Sequence, residues 1–203
     1  MRTKPQRDGA VRTGGTPGTR DRIVVATSRL MQRQGYEGTG IKQIAQASEA
    51  TLGSVYHFFP GGKRELAAEA VRHADREFAD LLRRALASAD DPAEAVIACC
   101  RVLAEGLRDS DWLDGCPVTA TALETVGRDP DLQQAVDQAF GHWQSLVADK
   151  LRGAGVDEES ARDLACTVIN TLEGAELTAQ VSRSARPLDV AGMHLARLIT
   201  SYL

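Results

Sequence analysis

The chain has 203 residues, 43% apolar and 26% charged, the composition of an ordinary globular protein with enough length to bury a core. No run approaches the ~18 apolar residues of a membrane span and no apolar leader opens the chain, so no membrane partner is expected. Four cysteines (Cys99, Cys100, Cys116, Cys166) lack C-x-x-C spacing, which argues against a disulfide scaffold or zinc knuckle and for a reducing cytoplasm. The net charge of −4 divides into +7 over residues 1–64 and −11 over residues 65–203. A basic head on an acidic body points to an anionic partner at the head.

Residues 1–18 are rich in Gly, Pro, Thr and Arg without an apolar period, and read as a disordered basic arm carrying +3. From there helical periods dominate and strand alternation is absent, so the expected class is all-α. A first helix spans about 20–34, capped by Thr19 and stopped by Gly35. Short helices follow over 41–47, with Thr39 as cap, and over 52–58, with Thr51 as cap. Pro60-Gly61-Gly62 breaks the chain before a long helix over 63–87. Pro92, Pro117 and Pro130 each open a helix, to about 108, 126 and 152. Asp157 caps a helix to about 182, and Pro187 starts the last one, to about 202. That makes about nine helices.

Two short helices joined by Ser48-Glu49-Ala50-Thr51 suggest a helix-turn-helix. Thr51 and Ser54 place hydroxyls on the first turn of the second helix, Gly53 permits close backbone approach, and Tyr56 and His57 follow. Lys63 opens the next helix. Hydroxyls, a phenol, an imidazole and a cation on one short segment suit phosphate oxygens and base edges.

Three stretches carry a resemblance: Gly35-Tyr36-Glu37-Gly38-Thr39-Gly40-Ile41-Lys42-Gln43-Ile44-Ala45, Gly53-Ser54-Val55-Tyr56-His57-Phe58-Phe59-Pro60 and Lys63-Arg64-Glu65-Leu66. They resemble the TetR family of bacterial transcriptional repressors. Pro60-Gly61-Gly62-Lys63, Asp114-Gly115-Cys116-Pro117-Val118 and Ala120-Thr121-Ala122-Leu123-Glu124 are similar to its LmrA-like subgroup, which controls drug-efflux or small-aromatic-metabolism genes. The resemblance implies a three-helix DNA-binding domain over 19–66, a linking helix to about 87, and a helical ligand-binding and dimerisation domain over 67–203. It implies double-stranded operator DNA, a small-molecule effector and a second copy of the chain as partners. By matching position, Thr39 is a phosphate-contacting cap and Lys42 reaches DNA from the second helix. Thr51, Leu52, Gly53 and Ser54 face the major groove, Tyr56 and His57 meet the backbone, and Lys63 clamps a phosphate. Two departures stand out. Glu49 replaces the usual turn glycine, which costs about 1 kcal/mol in a left-handed conformation. Leu52 stands where polar residues are frequent and can only read a thymine methyl or pack.

The body has no G-x-S-x-G, no H-E-x-x-H and no phosphate loop, and its histidines lack ligand spacing. No catalytic residue, metal or cofactor is expected, and the chain is not read as an enzyme. Trp112, Phe140 and Trp143 read either as core or as flat walls for an aromatic ligand. Asn170 and Glu173, three apart on an apolar helix, share a face and read either as solvated or as polar anchors. Cys116 joins this candidate pocket. Small residues along 157–182 (Ala161, Ala165, Gly174, Ala175, Ala179) suit a two-fold four-helix bundle. The expected function is a repressor released from its operator by a small, aromatic or drug-like ligand. The alternative is an all-α ligand-binding or protein-responsive regulator whose head binds DNA weakly or has no small-molecule effector.

Overall fold

The computed structural model describes residues 18–203, so the arm expected over 1–18 lies outside the described residues but for Gly18. Among the described residues there are nine helices and no strand: α1 (Thr19–Gln34), α2 (Ile41–Ala47), α3 (Leu52–Phe58), α4 (Gly62–Ala87), α5 (Pro92–Asp109), α6 (Pro117–Thr125), α7 (Pro130–Gly153), α8 (Glu158–Ser182) and α9 (Arg186–Thr200). The starts follow local chemistry. Thr51, Asp91, Asp129 and Asp157 each accept backbone N–H bonds from the first turn they precede, and Pro92, Pro117 and Pro130 stand where a missing N–H costs nothing. Two expected caps are corrected. Gly18 precedes α1 and Gly40 precedes α2, neither with a side-chain bond, so Thr19 lies inside its helix and Thr39 outside.

The head packs on a small core of its own. Ile23, Val24, Ile44, Ala45, Val55, Phe59 and Leu66 bring together α1, α2, α3 and the first turn of α4. The turn between α2 and α3 is a Schellman motif. The Ala50 N–H reaches the Ala45 carbonyl at 2.9 Å and the Glu49 N–H reaches Gln46 at 3.2 Å. This closure demands a left-handed residue, and Glu49 supplies it with φ 53°. The expected strain at Glu49 is therefore present in the structure.

The body core is larger; it takes in Met31 of α1, and on α4 it begins at Ala67, the residue after Leu66. Within it α4 lies against α7, α7 against α8, and α5 against α9. Gly192 permits the last contact: a Cβ there would meet the Cys100 sulfur at 3.2 Å. Trp143 is fully buried at the α4–α7 seam, edge-on to Phe78 (centroids 4.5 Å apart) and to Phe140 (5.3 Å), with its indole N–H directed at the Asp75 carbonyl. Two substitutions should move stability in opposite directions in urea unfolding. Trp143→Ala should cost about 3–5 kcal/mol by opening a cavity in the core. Glu49→Gly should add about 0.5–1 kcal/mol by relieving the left-handed turn; a loss there would mean that the Glu49 side chain contributes something beyond its backbone.

Candidate functional site

The head presents one face of α3 to solvent. Val55 and, just past the helix, Phe59 turn into the core, which leaves Thr51, Leu52, Gly53, Tyr56 and His57 exposed. The Thr51 hydroxyl accepts the Ser54 N–H at 3.0 Å and lies 2.9 Å from the Ser54 hydroxyl. Leu52 is 41% exposed and Tyr56 53%, so neither is core. Lys42 is exposed on α2. Lys63 is half-buried at the start of α4. Its ammonium stands 4.3 Å above the Tyr36 ring and donates to the Glu37 carbonyl at 3.3 Å. Thr39 is different. Its side chain is buried and its hydroxyl donates to the Gly35 carbonyl at 2.7 Å, so it fixes the α1–α2 loop rather than capping α2.

The basic excess of the head has a second explanation that the sequence concealed. Arg20 pairs with Glu69 (2.7 Å), Arg33 with Asp114 (2.6 Å), and Arg64 with Asp129 (2.8 Å) and Asp131 (3.2 Å). Three arginines thus tie the head to α4 and to the loops beside α6. Exposed pairs of this kind contribute little stability each, and their effect here is orientation. Arg29 and Lys42 are exposed and have no ion pair among the described residues.

The body holds a cavity of about 290 Å³ between α1, α4, α5 and the start of α6. Phe78, Leu81, Val102, Leu107, Val118 and Trp143 make its apolar wall, and Gln32, Glu77, Cys116 and Glu176 its polar side. A smaller cavity of about 120 Å³ adjoins it, lined by Thr119, Leu123, Glu173 and Gln180, and shares Gln32, Gly115, Cys116 and Glu176 with the first. Cys116, Glu173 and Glu176 bring a sulfur and two carboxylate oxygens within 4.8 Å of one another at this partition. The Thr119 hydroxyl donates to Glu173 at 2.5 Å, and the Thr119 N–H to the Cys116 sulfur at 3.5 Å.

Burial dominates the electrostatics here. Glu176 is 7% exposed and makes no hydrogen bond or ion pair among the described residues. Its removal from water, followed by the neighbouring charge of Glu173, pushes its carboxyl up to about 8. Burial raises Glu173 as well, against the hydrogen bonds from Thr119 and Cys116. The Cys116 thiol is held well above its ordinary value by burial and then by the two glutamates, which makes it an inert thiol rather than a reactive thiolate.

Of the pocket residues expected from sequence, Trp143, Cys116 and Glu173 line the two cavities. Three do not. Trp112 packs against the core from the α5–α6 loop, with φ 66° and its N–H on the Leu107 carbonyl at 2.6 Å. Phe140 backs Trp143 and faces a shallow groove beside α6. Asn170 is exposed, its amide donating to the Cys166 sulfur at 3.4 Å, one turn earlier in α8. Phe78, Gln32, Glu77 and Glu176 were missed. Glu176 left a signal: it interrupts the apolar stripe Ala165, Ile169, Leu172, Ala179, so the helix period alone sends its carboxyl inward.

Comparison with known proteins agrees with this layout. Residues 23–70 match the description "Bacterial regulatory proteins, tetR family", and residues 92–194 match "Transcriptional regulator LmrA/YxaF-like, C-terminal domain". The chain is 34% identical to the HTH-type transcriptional regulator LmrA of Bacillus subtilis, over 91% of this chain and 96% of that protein. It is also 34% identical to the uncharacterized HTH-type regulator YxaF of the same organism, over 84% and 89%. In three dimensions it superposes on a TetR regulatory protein from Rhodobacter sphaeroides with a TM-score of 0.79 and 24% identity, covering 88% of this chain and 97% of that one. With the head and the body both matched, the chain belongs to the tetR family of bacterial transcriptional regulators and carries an LmrA/YxaF-like C-terminal domain.

Proposed function

We propose that this regulator is a dimeric, cytoplasmic repressor that holds operator DNA through α3 and releases it when a small, largely apolar molecule fills the body cavity. The observation that carries this reading is the position of α6. Cys116, at the start of α6, lies in the cavity wall. At the other end of α6, Glu124 accepts the Glu37 N–H of the head at 2.7 Å. Gly35 is packed so tightly against Glu124 that a Cβ would lie 2.2 Å from a carboxylate oxygen. Asp114, just before α6 and also on the cavity, holds Arg33 of α1. A ligand that displaced the start of α6 would therefore push on the head at two points. The coupling is a difference in ligand affinity between two head orientations, typically about 1–3 kcal/mol.

The face of α3 supports the DNA half of the reading. Thr51 and Ser54 offer hydroxyls, Leu52 offers an apolar surface for a thymine methyl, and Lys42 and Lys63 offer cations for phosphates. A single head makes few base contacts, and two heads about 34–36 Å apart would read successive major grooves. Support for that pairing comes from α8 and α9, where Leu177, Val181, Met193 and Leu198 are exposed. Val181 is 78% exposed, and apolar side chains clustered in solvent mark an interaction surface. Paired about a two-fold axis, the two helices and their copies make a four-helix bundle.

Two outcomes are expected. In fluorescence anisotropy with DNA from upstream of the chain's own gene, Lys42→Ala and Lys63→Ala should each weaken binding to all sequences alike and lower the salt slope by about 1. Ser54→Ala should change the preference between sequences and leave the salt slope alone. A Lys63→Ala slope equal to wild type would take Lys63 off the phosphates. In sedimentation at micromolar concentration the protein should be a dimer, and Met193→Asp with Leu198→Asp should give a helical monomer with little operator affinity. A double variant that stays dimeric would place the interface elsewhere.

A further inference from the structure

The chemistry of the cavity restricts what can occupy it. Glu77, Asp114 and Glu176 stand on the wall of the larger cavity and Glu173 on that of the smaller, while no lysine or arginine lines either. Asp114 is paired with Arg33, and Glu77 is largely in water beside His73. Glu176 is 7% exposed and has no hydrogen-bond or ion-pair partner among the described residues. It lies between the apolar wall and the partition, where its neighbours are Glu173 on its own helix, Cys116 and Thr119 on α6, and Gln32 on α1. None of these supplies a positive charge.

An anion in this cavity would face the carboxylates unscreened. A neutral apolar ligand would leave Glu176 as it is, a protonated acid without a partner. A cation changes the balance. It turns a buried acid with no partner into an ion pair, and Phe78, partly exposed on the same wall, offers an aromatic ring that attracts cations. Desolvation decides between kinds of cation. A compact ammonium or a metal ion loses strong hydration on entry, whereas a substituted ammonium on an apolar body is weakly hydrated and fits a mostly apolar cavity. We propose that the cavity takes an organic cation, a substituted ammonium on an aromatic or similarly apolar body, with Glu176 as its counter-ion and Phe78 on its wall. This rests on the reading of the cavity as the sensor site.

Protons provide a second test. Below about 8 the Glu176 carboxyl of the free protein is protonated, so each cation bound must expel one proton to solvent. Affinity for a permanent cation should then rise about tenfold per pH unit up to about 8 and level off above it.

The experiment is isothermal titration of the full chain with benzyltrimethylammonium and with neopentylbenzene, its uncharged carbon isostere, from pH 6 to 9 and in two buffers of different ionisation enthalpy. The expected result is at least tenfold preference for the cation at pH 8, release of close to one proton at pH 7, and a pH slope for the cation alone. Glu176→Gln should erase both the preference and the proton release, while Asp163→Asn, at an exposed carboxylate of the same helix away from both cavities, should keep both. Equal binding of the two compounds, or cation binding without proton release in the wild type, would overturn the proposal. So would uptake of one zinc ion per chain, lost in Cys116→Ser and Glu176→Gln, with indifference to the ammonium. Operator anisotropy in the same titrations separates this idea from the switch. A cation that binds as expected but leaves operator affinity unchanged supports the site and sinks the release mechanism. Neutral compounds that release DNA as well as cations do the reverse.

Discussion

Leu66 and Ala67 are neighbours in one helix and belong to different hydrophobic cores. Everything else in the molecule depends on that continuity. The head core has seven buried residues, too few to be stable as an independent domain. It is completed by the first turn of α4, which continues for 26 residues, about 39 Å, through the body. A helix is stiff over that length, so the head's orientation is a property of the body. Arg20 on Glu69 and Arg64 on Asp129 fasten the same junction from outside. The sensor proposed in the body would therefore need no hinge inside the head, because α4 carries the head's orientation.

The buried acid at the partition is costly for the fold, and the sign of the cost is instructive. An unfolded Glu ionises near 4.5, whereas Glu176 in the folded chain holds its proton to about 8. Between those values the unfolded state binds fewer protons, so stability falls as pH rises through that window and the full cost is present above it. At 1.36 kcal/mol per unit, the penalty is on the order of a few kcal/mol. A leucine would complete the α8 stripe without it. Such a residue destabilises the empty protein and stabilises any state in which its charge is matched, which is the energetic requirement for a ligand to bias one conformation over another.

Element positions were legible because their signals are local. Prolines at 92, 117 and 130, aspartates at 129 and 157, and the apolar period of α7 act within a few residues of where they are read. The turn strain at Glu49 was legible for the same reason. The errors are all questions of what lies opposite. Thr39 has the residue type of a cap, but a carbonyl four residues earlier captures its hydroxyl. Asn170 and Glu173 share a helix face by sequence spacing, yet the boundary of the buried stripe passes between them and leaves Asn170 in water. Phe140 and Trp143 are similarly close on α7, but only Trp143 borders the cavity, while Phe140 faces the groove beside α6. The internal pairing of part of the head's surplus charge was hidden for the same reason, since Asp114, Asp129 and Asp131 approach from parts of the chain that no local pattern connects to Arg33 and Arg64.

Two apolar surfaces stay exposed in the monomer, and they differ in a way that separates their partners. On α8 and α9 the exposed side chains are aliphatic or Met, and they lie beside small residues such as Gly174 and Ala175 that allow close helix approach. That is a surface for another protein helix, and its isologous form pairs with itself. On α3 the exposed Leu52 and Tyr56 are isolated among Thr51, Gly53 and His57, with Lys42 and Lys63 on the elements to either side. An apolar residue surrounded by hydroxyls and cations does not suit a protein core, which would strand the polar groups. It does suit a groove edged by phosphates and floored by bases, where Leu52 meets a methyl and its neighbours meet oxygens. On the proposed reading Leu52 would narrow the operator rather than weaken it: a base that presents a methyl would be tolerated at that step, and one that presents only a hydrogen-bonding edge would lose water without gaining a partner.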